Sequence, residues 1–251
     1  MRTAISLLVA VFGLAAAPAA GAMSIQPLTL GAAAPAVKAD TTRAAPRTHA
    51  PRHRFTLVDE SAGTDVRARP KGRVLGTLPG RTPLGSPTWL WAVGFSRNDG
   101  WARVVLPWHP NGRTGWVRLR GHRVVHTRTW IQADLSRRRV MLMHGSRVVR
   151  SFPAAIGAPA SPTPIGRFSV TDPISTGDPS GPFGWYAFGL SGHQPNLPAG
   201  WSGGDQLAIH GTNDPASIGT PASAGCLRVS ADALAVLKRA LRPGTPVVIH
   251  P

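Results

Sequence analysis

A histidine and a cysteine near the C-terminus have the residue types and neighbours that do chemistry. His210 ends the apolar run Leu207-Ala208-Ile209, which reads as a strand delivering its last residue to an open edge. Cys226 is the only cysteine among the 251 residues. The stretch between the two is rich in Gly, Pro, Ser, Thr and Asn. That is the composition of a loop that folds back on itself, so the two side chains can meet. A free thiol, with a pKa of about 8.5, is mostly protonated near neutral pH. An adjacent imidazole can accept its proton and hold the thiolate as an ion pair, which makes the sulfur a nucleophile. Gly225 permits close approach of a substrate, and backbone N–H groups of Gly225, Cys226 and Leu227 can point at a developing oxyanion. If Leu227 faces the core, Cys226 and Arg228 face the same way on an extended segment. The Arg228 guanidinium then suits a substrate carboxylate, which it can grip with two hydrogen bonds. Alone, a cysteine is often a small buried hydrophobe. Gly225 and Arg228 beside it favour reactivity.

Three motifs in order, Ile209-His210-Gly211-Thr212-Asn213, Ser217-Ile218-Gly219 and Ser223-Ala224-Gly225-Cys226-Leu227-Arg228, resemble the signature of the L,D-transpeptidases with a YkuD-type catalytic domain. That signature is a His-Gly followed by Ser-x-Gly-Cys-x-Arg or Asn. Upstream, Ser161-Pro162-Thr163-Pro164-Ile165-Gly166-Arg167-Phe168 resembles the Thr-Pro-x-Gly-x-Phe segment of the same family. Phe168 reads as core there, and the segment as structural near the cleft. The chain departs from many members at Ala224, where they carry a histidine.

The resemblance covers roughly Thr129 to His250, and its implications are specific. Cys226 is the nucleophile and His210 the proton donor and acceptor. Arg228, Ser223, Gly211 and Tyr186 contact substrate, and no cofactor or metal takes part. The donor is a tetrapeptide stem of peptidoglycan, which forms a thioester on Cys226 and loses its terminal D-Ala. A side-chain amine of a neighbouring stem resolves the thioester into a 3→3 cross-link, in cell-wall biogenesis and cell shape. The resemblance further implies that carbapenems acylate Cys226. Two other functions stay open. One is an L,D-carboxypeptidase or cysteine peptidase that uses water at the same site. The other is a non-catalytic wall-binding protein.

The elements that must position these residues are mainly β. From Thr129 the segments Trp130–Leu135, Val140–His144 and Arg147–Pro153 alternate and turn as a β-meander. Thr171 to Gly204 is rich in Gly, Pro and Ser with interspersed aromatics, and reads as a long functional loop, which the family resemblance implies helps wall the cleft. His193 within it is exposed by composition. No pair of His, Asp or Glu there has convincing metal-ligand spacing. Ser230 can cap one helix after the Cys motif, with Leu234, Leu237, Ala240 and Leu241 on one face, and Pro246–His250 is a final strand.

Residues 55–120 carry short strands at Phe55–Val58, Val66–Pro70, Trp89–Val93, Trp101–Val105 and Thr114–Leu119. Regular spacing of short strands points to a small β-barrel. The stretch resembles bacterial SH3-like domains in its Val-Arg-x-x-Pro, Pro-Gly and Gly-Trp-Val signals. The expected architecture is therefore an SH3-like barrel at 55–120 and a β-rich catalytic domain at 129–250.

The first residues place this chain outside the cytoplasm. Met1-Arg2, an apolar run from Ala4 to Ala17 and the small residues Ala20-Gly21-Ala22 describe a signal peptide over 1–22. Residues 23–54, rich in Ala, Pro and Thr, read as a disordered linker. Export to the periplasm or cell wall changes how one cysteine reads. Exported proteins use cysteine in pairs, and a lone one cannot form an internal bridge. The 28 Lys and Arg against 11 Asp and Glu give a net charge of +17. Such a chain is drawn to polyanions, here anionic wall polymers, and no nucleic-acid-binding signature appears. No other stretch is apolar enough to span a membrane.

Overall fold

A computed structural model describes residues 53–98 and 100–251. The expected signal peptide lies outside the described residues, as does the linker except for its last two positions. Alternation of apolar and polar residues produces a first sheet from β1 (Phe55–Asp59), β2 (Thr64–Arg67), β3 (Val74–Leu78), β4 (Trp89–Phe95), β5 (Trp101–Val105), β6 (Thr114–Arg118) and β7 (Val124–Thr127). Their order is β3-β2-β6-β5-β4-β1-β7, and neighbours are antiparallel. The sheet thus takes in β7, beyond residue 120. Val58, Val66, Leu90, Ala102, Val104 and Val117 close its core. Trp91 is buried too, and Trp108 packs against the cluster.

The second sheet is built from β8 (Thr129–Asp134), β9 (Arg139–His144), β10 (Arg147–Pro153), a short β11 (Ile156–Gly157), β12 (Gly166–Ser175), β13 (Tyr186–His193), β14 (Gln206–His210), a short β15 (Pro221–Ser223), β16 (Leu227–Arg228) and β17 (Pro246–His250). Eight of these run in the order β10-β9-β8-β17-β12-β13-β14-β16, and β11 pairs with β15 apart from them. β8, β9 and β10 form the expected meander. The terminal strand β17 enters the middle of the sheet, parallel to β8 and antiparallel to β12. Among the described residues the α-helix is α1 (Ala231–Ala240). Ser230 caps it by accepting from the Ala233 N–H at 3.2 Å. Ala233, Leu234 and Leu237 are buried against the sheet.

The stretch from Thr171 to Gly204 corrects the sequence reading. It contains strand where a continuous loop was expected: the end of β12 and all of β13, whose residues Tyr186 to Gly192 are buried. Glycine, read as loop punctuation, here allows close packing. A Cβ at Gly192 would lie 2.5 Å from the Phe168 ring. The loop is thereby reduced to two segments, 176–185 and 194–205.

The two sheets meet through specific side chains. Thr82 Oγ1 donates to Asp172 Oδ1 at 2.5 Å. Asn111, in the insertion 106–113, accepts from the His193 N–H at 2.8 Å and donates to its carbonyl at 2.6 Å. No described helix is long and apolar enough to cross a membrane.

Candidate active site

Strand register brings the predicted pair together. β14 and β16 are parallel neighbours, with Ile209 opposite Leu227 and His210 opposite Arg228. Ile209 and Leu227 point into the core, at 0% and 1% exposure. Alternation then puts Ala208, His210, Cys226 and Arg228 on the other face, and all four line one cleft of about 370 Å³. The loop between His210 and Cys226 does fold back. Ser217 Oγ donates to the Asp214 carbonyl at 2.6 Å, and the Ile156 N–H holds the Thr220 carbonyl at 3.0 Å.

Cys226 leaves the Gly225 turn in a fixed orientation. Ser223, 3% exposed, donates its hydroxyl to the Cys226 carbonyl at 2.6 Å and accepts from the Gly225 N–H at 3.1 Å. Ser223 therefore builds the loop, although it also lines the cleft. Gly225 sits at φ +117°, and a Cβ there would lie 2.1 Å from Gln194 Nε2. Glycine is required on both counts.

Gln194 is the residue that sequence reasoning missed. Its buried Nε2 shares its two N–H groups among the carbonyls of Ser161, Pro162 and Ala224, at 3.2, 3.0 and 3.2 Å. One amide thus clamps the Thr-Pro segment to the cysteine loop. Nothing in a glutamine at the end of a Gly-rich stretch announces this. The signal lies in the three carbonyls, which only the fold assembles.

The electrostatics differ from an ion pair. Burial pushes the His210 imidazole down to about 4. The Gly211 carbonyl opposes this, and the Arg228 charge adds to it. His210 is 3% exposed, and its Nδ1 lies 2.5 Å from the Gly211 oxygen. A carbonyl only accepts, so Nδ1 carries the hydrogen and Nε2 is the basic atom. Burial pushes the Cys226 thiol up, against the Ala208 backbone and Arg228, which favour the thiolate. The expected thiolate–imidazolium pair is therefore replaced at neutral pH by a neutral thiol and a neutral, correctly prepared base. The desolvation of both groups is the reason.

The remaining expectations divide. Arg228 lines the cleft with its Nε buried and without a hydrogen-bond partner. Such a group needs an acceptor, and a substrate oxygen can supply one. Gly211 is buried but does not line the cleft; it lies against Gly184 and Leu234, and its carbonyl orients His210. Tyr186 is a correction. It is 7% exposed in the hydrophobic core, with Lys238 Nζ 4.5 Å from its ring centroid, and it does not reach the cleft. A strand position facing the core overrides the aromatic's polar tip. Of the three expected oxyanion donors, Gly225 N–H is spent on Ser223 and Leu227 belongs to the β14–β16 ladder. The Cys226 N–H has no acceptor among the described residues. Aromatics wall the cleft instead of Tyr186: Phe183 packs edge-on against His210 with ring centroids 5.0 Å apart, and Trp201 stands 42% exposed at the rim.

A buried imidazole, a thiol and a guanidinium whose buried Nε lacks a partner share one face of the sheet in this cleft. Residues 128–249 match the family model of the L,D-transpeptidase catalytic domain, YkuD. A YkuD protein of Bacillus licheniformis, assigned provisionally as an L,D-transpeptidase, is 33% identical over 121 residues, 48% of this chain and 65% of the relative. Its Bacillus subtilis counterpart, assigned in the same way, is 32% identical over 120 residues, with the same coverage. The chain thus spans about two thirds of the length of these relatives. Among solved structures, an L,D-transpeptidase from Mycobacterium smegmatis aligns over 83% of this chain and 87% of its own, at 17% identity and a TM-score of 0.40. Bd1075 from Bdellovibrio bacteriovorus aligns over 49% and 48%, at 24% identity and a TM-score of 0.40.

Proposed function

We propose that this protein is an exported peptidoglycan L,D-transpeptidase that forms 3→3 cross-links through a thioester on Cys226. The convergence of Cys226, His210 and the unpartnered Arg228 on one cleft carries the reading. As the sulfur attacks the stem carbonyl, its proton passes to His210 Nε2, so thiolate forms only during attack. The Cys226 N–H is the oxyanion donor. Protonated His210 then gives its proton to the leaving D-Ala amine. An acceptor amine attacks the thioester, His210 takes its proton, and the Cys226 thiol is restored. Arg228 holds a substrate carboxylate or carbonyl oxygen.

A neutral His210 suits this two-way role, because the base form is available across the physiological range. The first sheet, with its SH3-like strand signals, serves as a wall-facing module, and the net charge of +17 favours anionic wall polymers as its surroundings.

The test is mass analysis of products after mixing the protein with a tetrapeptide-stem disaccharide, beside Cys226→Ala. A dimer lacking one D-Ala, formed only by the parent, is the expected result. Loss of D-Ala without a dimer assigns an L,D-carboxypeptidase instead. No turnover, with retained peptidoglycan binding by both proteins, assigns a wall-binding protein.

A further inference from the structure

We propose that His109, His193 and Asp205 form a transition-metal site, of the kind zinc occupies, that staples the first sheet's insertion to the wall of the cysteine cleft. The three residues come from different parts of the chain. His109 lies in the insertion 106–113, His193 ends β13, and Asp205 immediately precedes β14. Their ligand atoms all lie within 4.8 Å of one another. His109 Nε2 is 3.0 Å from Asp205 Oδ2, and His193 Nδ1 is 3.1 Å from Asp205 Oδ1. The two imidazoles overlap, with ring centroids 3.9 Å apart. Two imidazole nitrogens and a carboxylate are borderline ligands that suit zinc, with a remaining position open to water.

The hydrogen bonding of His193 points to a cation. Its Nε2 is 3.3 Å from the Pro107 carbonyl, while its Nδ1 faces the Asp205 carboxylate. Both neighbours are acceptors only. A neutral ring has one N–H and cannot satisfy both. A cation between Nδ1 and the carboxylate satisfies both while Nε2–H serves the carbonyl. Metal-ligating histidines commonly donate their other N–H to a carbonyl, which fixes ring and tautomer. Pro107 supplies that carbonyl, and Asn111 holds the His193 backbone from both sides. With Nε2–H directed at that carbonyl, the Nδ1 lone pair faces Asp205 and is the ring's metal-binding position.

Position gives the site a purpose. The Gln194 N–H donates to the Asp205 carbonyl at 2.7 Å, closing the base of segment 194–205. That segment carries Leu197 and Trp201 to the cleft. A metal at its base would fix the cleft wall and the insertion as one unit.

The experiment is zinc titration against a chromophoric chelator, using the untagged protein with Cys226→Ala to remove the competing thiol. One equivalent of Zn²⁺ should bind. His109→Gln in the same background should weaken binding by roughly tenfold or more. The His109 side chain is 63% exposed, so this variant does not threaten the fold. Zn²⁺ should also raise the melting temperature of Cys226→Ala and leave that of the double variant unchanged. No stoichiometric binding, or equal affinity with His109→Gln, overturns the proposal. Neither readout depends on turnover, so the site stands or falls apart from the acyl-transfer reading.

Discussion

His210 lies directly across the parallel β14–β16 pair from Arg228, while Ile209 lies across from Leu227. The apolar pair fixes the register by its burial, and the register then fixes the polar pair on the cleft face. A slip of β16 by one residue would turn Arg228 away from the cleft face and into the core. The guanidinium beside the ring also helps keep the imidazole unprotonated. We therefore expect the acid limb of kcat/KM near pH 4, where the imidazole gains its proton and stops accepting. The ordinary histidine value is 6.5. A pH–rate profile for acylation measures this, and an acid limb near 6.5 would contradict the buried neutral base. His210→Gln should slow acylation by about 10²–10⁴-fold with the fold intact.

Carbapenem acylation isolates the first half-reaction. Intact-protein mass spectrometry should show one adduct on the parent and none on Cys226→Ala. An unmodified parent after prolonged incubation would remove the nucleophile assignment.

Much of this was legible in the sequence because period-two alternation is local. β5, β10 and β17 begin and end where the apolar alternation does. The cysteine loop was legible because its composition and Arg228 mark it chemically. Three things were not. The strand character of β13 was masked by Gly189 and Gly192, which sit against Gln206 and Phe168. Gln194 was invisible because its three acceptors come from two distant loops. The His109–His193–Asp205 cluster has no sequence spacing at all, since two sheets meet to make it.

Arg228 should act mainly on binding. Its Nε is buried without a partner, and substrate supplies one. A hydrogen bond to a charged group contributes about 1.5–3 kcal/mol, so Arg228→Lys should raise KM by roughly ten- to hundredfold with a smaller change in kcat. Lysine keeps the charge but loses the planar fork. Steady-state kinetics that show kcat falling with KM unchanged would give Arg228 a different role.

Gln194→Ala should loosen the cysteine loop. It leaves the carbonyls of Ser161, Pro162 and Ala224 without their donor. Leaving a buried group unpaired costs about 1–3 kcal/mol. At about 2–4 °C per kcal/mol for a domain of this size, the melting temperature should drop measurably. Acylation should slow as well, because Ala224 precedes the Gly225–Cys226 turn. Gly225→Ala should be worse, since removing the Gln194 clash still leaves φ at +117°. Thermal melts and carbapenem acylation rates of the two variants check both effects. Unchanged values for Gln194→Ala would show that the loop holds itself.

Glu60 makes the first sheet sensitive to pH. It is fully buried, and burial pushes its carboxyl up to about 8. His122 Nδ1 lies 2.9 Å from Glu60 Oε2, but its hydrogen bond goes to the Asp59 carbonyl at 3.1 Å, and neither Glu60 oxygen finds a donor there. The native state therefore keeps a proton that the unfolded chain releases near 4.5. Between those values the unfolded state binds fewer protons, so stability falls as pH rises. The contribution is complete below about 4.5 and lost as pH climbs through about 8. Glu60→Gln keeps the neutral shape without the proton. Its melting temperature relative to the parent should therefore be higher at pH 8 than at pH 5. Thermal melts at the two pH values decide it, and a constant difference would mean that Glu60 is ionised in the folded protein throughout.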